Sequence, residues 1–364
     1  METLIQQAVQ LYDNASAALD RGDFARSEAL HLECIALFQQ AGGPHSLDAA
    51  SVYTSLADLR QQVGNLDGAM QAASQADSIV ATLGDDCAGD DPQSVRIQAW
   101  AQIGAIHRQR AEYTQAEAWL QRALDLAVRH FGEDSETASN ARNELGMLYK
   151  YTAEFDKADA LYRAALAHLL NRFGEQHSSV AALYHNLGGL EHARQRFAEG
   201  EPYARKALEI NRQVLGEDHP TTLADAAAYA GLLDGLERYT ESEPIYRRVL
   251  AGFTALYGTQ HYEIAVNLNN LANVRNARGD PQEAEALFHR AIAIKEKTLG
   301  PDHPDTALSL NNLGAILSEQ GRTVEDRRLF RRALRIFRHR LGDEHPKTQM
   351  ARTNLAALHT TEQP

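Results

Sequence analysis

The sequence contains no run of about 18 apolar residues, the length a membrane-spanning helix needs, so no transmembrane segment and no membrane partner are expected. Cysteine is almost missing. Cys34 and Cys87 are too few for a disulfide framework, and a reducing, cytoplasmic setting is the expectation. Glycine (24 residues) and proline (10) are sparse in a chain of 364 while alanine is abundant, a balance that points to helix. The opening METLIQQAVQLYDNASAALD has neither a basic start nor a small-residue cleavage site and does not read as a signal peptide. A phosphate loop, a nucleophile elbow, an HExxH pair and a paired-cysteine metal motif are all missing, so no cofactor is expected.

Positive charge is also short. A net charge of −13 argues against nucleic acid as a partner of the whole surface. Residues 1–100 hold four arginines and no lysine against 14 acidic residues, a net charge of −10. The last long helical stretch is the opposite, with Arg327, Arg328, Arg331, Arg332, Arg335, Arg338 and Arg340 in DRRLFRRALRIFRHRLG. Its Phe330, Leu334 and Phe337 assign it to the core first, leaving Arg327, Arg331, Arg335 and Arg338 as an expected exposed stripe.

What is present is repetition. LGPDHPDTALSLNNLG begins at Leu299, and close variants begin at Leu215 and Leu341. A turn residue recurs at Gly22, Gly64, Ala111, Ala153, Gln195, Glu237, Gly279 and Gly321, with gaps of 42, 47, 42, 42, 42, 42 and 42. The longer gap holds the insertion LGDDCAGDDPQS (83–94). A fixed period of this length means stacked supersecondary units. Each unit reads as two amphipathic helices, A then B. In PQEAEALFHRAIAIKEKTLG, Ala284, Leu287, Phe288, Ala291 and Ile294 fall on one helical face. Gly216, Gly258, Gly300 and Gly342 then stop helix B, and Pro220, Pro304 and Pro346 suit the first position of the next helix A.

Ala272 or Gly314, the turn glycine 279 or 321, Ala284, Phe288 and Ala291 follow a pattern that resembles the tetratricopeptide repeat. The 42-residue period and the LGxDHPxT…LNNLA phrase resemble its kinesin-light-chain subtype, common also in bacterial proteins. The resemblance implies an all-α, right-handed superhelical solenoid of eight helix pairs plus a C-terminal capping helix, with the A helices lining a concave groove. The expected organisation is one solenoid over 1–364: repeats at about 1–42, 43–84, 92–131, 132–173, 174–215, 216–257, 258–299 and 300–341, and a cap at 345–360. Lone helix pairs cannot bury their apolar faces, so neighbours must stack.

Within helix A one column reads Asp13, Ser55, Gln102, Glu144, Asn186, Ala228, Asn270, Asn312 and Asn354. The resemblance implies that this position faces the groove and that its Asn bonds the backbone of an extended peptide. A carboxamide offers donor and acceptor together, which matches a peptide unit. The preceding residues Asn143, His185, Asn269 and Asn311 join the candidate set. The competing reading is that these amides only bridge neighbouring helices. One turn on, Ala105, Gly189, Gly231 and Ala315 are small, leaving room either for a ligand or for close helix packing. Beyond them lie Gln61, Arg108, Lys150, His192, Asp234 and Asn276; Arg108, Lys150 and His192 suit an acidic side chain or a C-terminal carboxylate.

The column His177, His219, His261, His303 and His345 invites a metal hypothesis. Adjacent repeats are expected to hold equivalent positions roughly 20 Å apart, whereas metal ligands converge within a few ångströms, so helix-start chemistry is the better reading. The acidic GDDCAGDD (84–91) lacks the ordered spacing of a calcium loop and reads as a solvated linker. The leading function is therefore a peptide- or protein-binding adaptor. The alternatives are an enzyme or small-molecule binder, with Glu144, His185 and His192 as acid–base groups, and a solenoid that self-associates weakly through its ends.

Overall fold

The computed structural model describes residues 2–20, 23–43, 45–83 and 91–360, and among them there are seventeen helices and no strand. The turn residue Gly22, Cys87 and most of the acidic 84–91 stretch lie outside the described residues. The A helices are α1 (Glu2–Asp20), α3 (Leu47–Gln62), α5 (Pro92–Gln109), α7 (Glu136–Tyr151), α9 (Ser178–Ala193), α11 (Pro220–Gly235), α13 (Tyr262–Ala277) and α15 (Pro304–Glu319). Their B partners are α2 (Phe24–Gly42), α4 (Leu66–Thr82), α6 (Tyr113–Phe131), α8 (Phe155–Phe173), α10 (Phe197–Val214), α12 (Tyr239–Tyr257), α14 (Pro281–Thr298) and α16 (Thr323–Leu341). The extra helix α17 (Pro346–Thr360) packs on α16 and α15. The chain forms two compact units that divide between Leu148 and Tyr149. Among the described residues no helix is long and apolar enough to cross a membrane.

Two kinds of turn make the repeat, and they differ in what they tolerate. At the A-to-B turn the anchor residue is left-handed: φ is 81° at Gly64, 57° at Ala111, 65° at Ala153, 60° at Gln195, 58° at Glu237, 85° at Gly279 and 74° at Gly321. Two backbone bonds close each turn, as at Gly279 N to Asn276 O (2.9 Å) and Asp280 N to Arg275 O (2.9 Å). They satisfy carbonyls the helix end would leave orphaned. A non-glycine residue is held there at a cost of about 1 kcal/mol, so substitution is tolerated. At the B-to-A turn Gly132 has φ 88° and ψ 163°, and Gly174 has φ 71° and ψ −174°. That region is essentially closed to a residue with a Cβ. Positions 43, 132, 174, 216, 258, 300 and 342 are accordingly all glycine.

Helix A then starts on a side-chain cap. The Nδ1 atoms of His177, His219, His261, His303 and His345 accept from the backbone N–H two residues on, at 3.2, 3.2, 3.3, 3.1 and 3.1 Å. Ser135 fills the same place before α7, its Oγ accepting from Ala138 N at 3.1 Å. The histidine column is thus helix-start chemistry. Among the described residues no cluster of three potential metal ligands occurs.

The core follows the expected faces. Ala284, Phe288 and Ala291 are fully buried, as are their counterparts Ala158, Tyr162 and Ala165. Each buried aromatic contributes about 2–3 kcal/mol. In the arginine-rich α16, Phe330 and Phe337 are buried. Its arginines are partly spoken for: Arg335 reaches Asp302 (3.0 Å), Arg338 reaches Asp343 (2.9 Å) and Arg332 reaches Glu296 (2.7 Å).

Candidate functional site: the A-helix wall

In the first unit the A helix α3 packs directly on α5, and in the second unit α9, α11, α13, α15 and α17 pack on one another in turn. Side chains one repeat apart therefore meet. Tyr262 Oη donates to Asp305 Oδ2 at 2.7 Å, and Asn354 Nδ2 donates to Asn311 Oδ1 at 3.1 Å. Within a unit, neighbouring A helices therefore lie closer than the expected 20 Å, side chain against side chain. In the second unit the A-helix surface curves far enough to meet itself, since His345 Nε2 lies 3.0 Å from the carbonyl oxygen of Tyr151, 194 residues away.

In the first unit, Gln102 Nε2 donates to Thr54 O at 2.8 Å. Arg108 approaches Glu144 at 3.7 Å, with side chains 10% and 27% exposed. The Glu144 carboxyl is nonetheless pushed up, first by desolvation and then by Asp58, while Arg108 pulls it down. Asn143 is half-buried on the same helix.

In the second unit the paired amides divide into two roles. Asn269 is 5% exposed, and its Oδ1 accepts from Ser309 Oγ at 2.8 Å. Ser309 in turn receives Lys295 Nζ at 3.0 Å, and that ammonium, 3% exposed, also reaches Asp305 O at 3.3 Å. Asn311 is 2% exposed and tied to Asn354, and Asn186 is 6% exposed. Asn186, Asn269 and Asn311 are thus not brought to the groove surface; for Asn269, Asn311 and Asn354 the helix-bridging role is the one observed. Asn270 and Asn312, the next residue in each helix, are partly exposed, and their side chains form no hydrogen bond among the described residues.

Two of the small positions, Gly189 and Gly231, are approached from the preceding repeat. A Cβ on Gly189 would stand 3.3 Å from Lys150 Nζ, and one on Gly231 would stand 3.7 Å from His192 Nε2. His192 also meets Phe197 edge-on at 5.3 Å, and desolvation followed by the Lys150 charge holds its imidazole below the usual range. Asn276 Nδ2 donates to Glu319 at 3.0 Å, and the Asp234 carboxylate accepts from Tyr246 Oη at 2.7 Å. The expected acid–base trio is otherwise engaged: Glu144 faces Arg108, while His185 Nδ1 lies 2.7 Å from Asp225 Oδ1.

Sequence reasoning missed Asp225 and Asn211. Asp225 is 2% exposed, and its second oxygen accepts from the fully buried Asn211 Nδ2 at 2.7 Å. A signal existed. The two columns read Leu169, Asn211, Phe253, Lys295, Phe337 and Leu183, Asp225, Asn267, Ser309, Ala351, so 211 and 225 are polar together where the preceding repeat has Leu169 and Leu183.

The comparisons with known proteins bear on the family and the fold. The family model described as tetratricopeptide repeat matches residues 96–171, 179–255, 222–297 and 263–338. The chain belongs to the tetratricopeptide-repeat family. No curated protein matches its sequence. It is similar in structure to a Rap protein complexed with competence and sporulation factor, at TM-score 0.62 and 11% identity over 98% of each chain. It is likewise similar to the Rap conjugation gene regulator of plasmid pLS20 in complex with the Phr* peptide, at TM-score 0.63 and 14% identity over 93% of this chain and 99% of that one. BtubC (BKLC) from P. vanneervenii shares 22% identity over 82% of this chain and 92% of that one, at TM-score 0.39. The two Rap likenesses speak for the fold.

Proposed function

We propose that the protein is a peptide- or protein-binding adaptor whose site is the A-helix wall of the second unit. The observation that carries this is the split within the amide pairs. Asn269 and Asn311 hold the helices together, while Asn270 and Asn312 keep donor and acceptor uncommitted on the partly exposed surface. A mid-helix Asn has poor helix propensity, and two of them one repeat apart match the backbone of an extended chain. Lys150 and His192 stand on the same wall and suit an acidic group on that chain. The two Rap structures named above were solved with a peptide or factor bound, which supports the same use of this fold.

The test uses linear peptides selected from a phage-displayed random library on the full chain. Asn270→Ala combined with Asn312→Ala is expected to weaken the selected peptides about fivefold or more, since two amide hydrogen bonds contribute about 1–3 kcal/mol. Far-UV circular dichroism and the melting temperature should stay within a degree or two, because neither side chain holds the fold together. Unchanged affinity in the double variant removes the amides from the site.

A further inference from the structure

We propose that the cleft lined by α10, α11 and α12 binds a small aryl carboxylate, a single aromatic ring on a short acidic tail. None of its lining residues belongs to the groove set, and the proposal stands independently of the groove reading.

Two other repeats fill the equivalent slot with an aromatic ring under a cation. In the third, Trp100 on helix A packs beside Trp119 on helix B at 6.2 Å. The Arg122 guanidinium sits 4.4 Å from the first ring centroid and 4.5 Å from the second. In the fifth, Tyr184 stacks with Tyr203 at 6.2 Å, and Lys206 Nζ lies 5.7 Å from the Tyr184 centroid. The ring quadrupole attracts a cation placed over its face. The sixth repeat keeps the cation and drops the ring. Forty-two residues on, Arg248 stands in the place of Lys206, Ile245 in that of Tyr203 and Ala226 in that of Tyr184. In the seventh and eighth repeats Leu268 and Leu310, each 2% exposed, occupy the same position. Ala226 leaves it open.

The result is a cleft of about 240 Å³, with Leu208, Leu223, Ala226, Ile245 and Val249 as its apolar lining and Tyr229 beside them. An apolar cavity of about 150 Å³ already admits benzene, so one ring with a short tail fits. The charged lining is three guanidiniums, Arg205, Arg212 and Arg248, against two carboxylates, Glu209 and Glu217. Glu217 is shared, pairing with Arg212 at 2.5 Å and with Arg248. Such pairing engages the N–H edges of a guanidinium and leaves its planar face for a ring. Arg205 faces Glu201 and Glu209 at 3.4 and 3.6 Å and forms no hydrogen bond among the described residues. Its donors suit a carboxylate on the ligand.

The test titrates three probes into the full chain: 3-phenylpropionate, its saturated counterpart 3-cyclohexylpropionate, and the uncharged 3-phenylpropanamide. Binding is read from the Ile245 Cδ1 methyl resonance, assigned by its loss in Ile245→Val. The phenyl acid is expected to shift this methyl saturably and to bind about twofold to fivefold more tightly than either of the others. Cyclohexyl is the more apolar ring, so a cleft that is merely apolar gives the opposite order. An unmoved methyl, a cyclohexyl acid that binds as well, or an amide that binds as well overturns the site. Ala226→Tyr supplies the ring from the protein itself and should abolish the shift without lowering the melting temperature. A shift that persists in that variant places the probe elsewhere and overturns the site. Arg248, 49% exposed, can be changed without touching the core, and it decides the matter should Ala226→Tyr fold poorly. In Arg248→Gln the phenyl preference over cyclohexyl should vanish or reverse; a preference that survives shows that no cation holds the ring, and the proposal falls.

Discussion

Lys295→Met is expected to make the protein more stable at pH 7, by about 1–2 kcal/mol. Burial pulls the Lys295 ammonium down to about 8 from an ordinary 10.5; Asp305 opposes the shift and Lys347 adds to it. At pH 7 the folded state carries a charge that would be better solvated in the unfolded chain, a disadvantage of about 3 kcal/mol at 1.36 kcal/mol per pKa unit. Methionine has similar length and no charge to desolvate. Two hydrogen bonds are lost, which offsets about 1–2 kcal/mol. The partners are not stranded, because Ser309 Oγ still donates to Asn269 Oδ1 at 2.8 Å and lies 3.4 Å from Asp305 O. The sign with pH follows from the depressed value. Between about pH 8 and 10.5 the unfolded chain binds the proton and the folded chain does not, so wild-type stability gains as pH rises through that window. The Met variant lacks this gain, and its advantage should shrink toward zero or reverse by pH 10.5. Urea denaturation of both proteins at pH 7 and pH 10 checks this. A Met variant less stable at pH 7 would show that the lysine's hydrogen bonds outweigh its desolvation.

Gly188→Val is expected to destabilise the protein by about 2–3 kcal/mol, whereas Gly189→Ala should be neutral or slightly stabilising. The two glycines are adjacent in α9 and meet different things. A Cβ on Gly188 would stand 3.1 Å from Ala204 N, 3.2 Å from Ala204 Cβ and 3.4 Å from Ala204 Cα, so the obstacle includes the backbone of α10. Helix backbone cannot step aside alone; the crossing itself must widen, and the extra methyls of valine enforce that. A Cβ on Gly189 meets only Lys150 Nζ at 3.3 Å, the far end of a long side chain rather than backbone. Replacing that glycine recovers up to about 1 kcal/mol of helix propensity. The check is the urea midpoint of each variant at unchanged slope. If both substitutions cost the same, backbone contact is not what distinguishes the two sites.

The sequence determined the helix pairs, their 42-residue period and both turns, because each is a local matter. Gly258 is required by its own φ of 73° and ψ of −174°, and His303 caps a helix that begins at its neighbour. Such features repeat wherever the chemistry repeats, and a period read along the chain reveals them. Candidate positions on the A-helix face were legible for the same reason, through the column of Asn270 and Asn312.

Only the tertiary structure decided which amides are open. Asn269 and Asn270 are the same residue type, one step apart; helical rotation of about 100° per residue turns one toward Ser309 and the other toward the exposed surface. The sequence likewise could not show that Gly189 and Gly231 are covered by Lys150 and His192, side chains from the preceding repeat. Nor could it join Asn211, Asp225 and His185 into one chain of hydrogen bonds, or bring His345 to Tyr151. Those contacts depend on the angle at which successive pairs stack. That angle is the sum of many packing contacts, and no single column of the repeat records it.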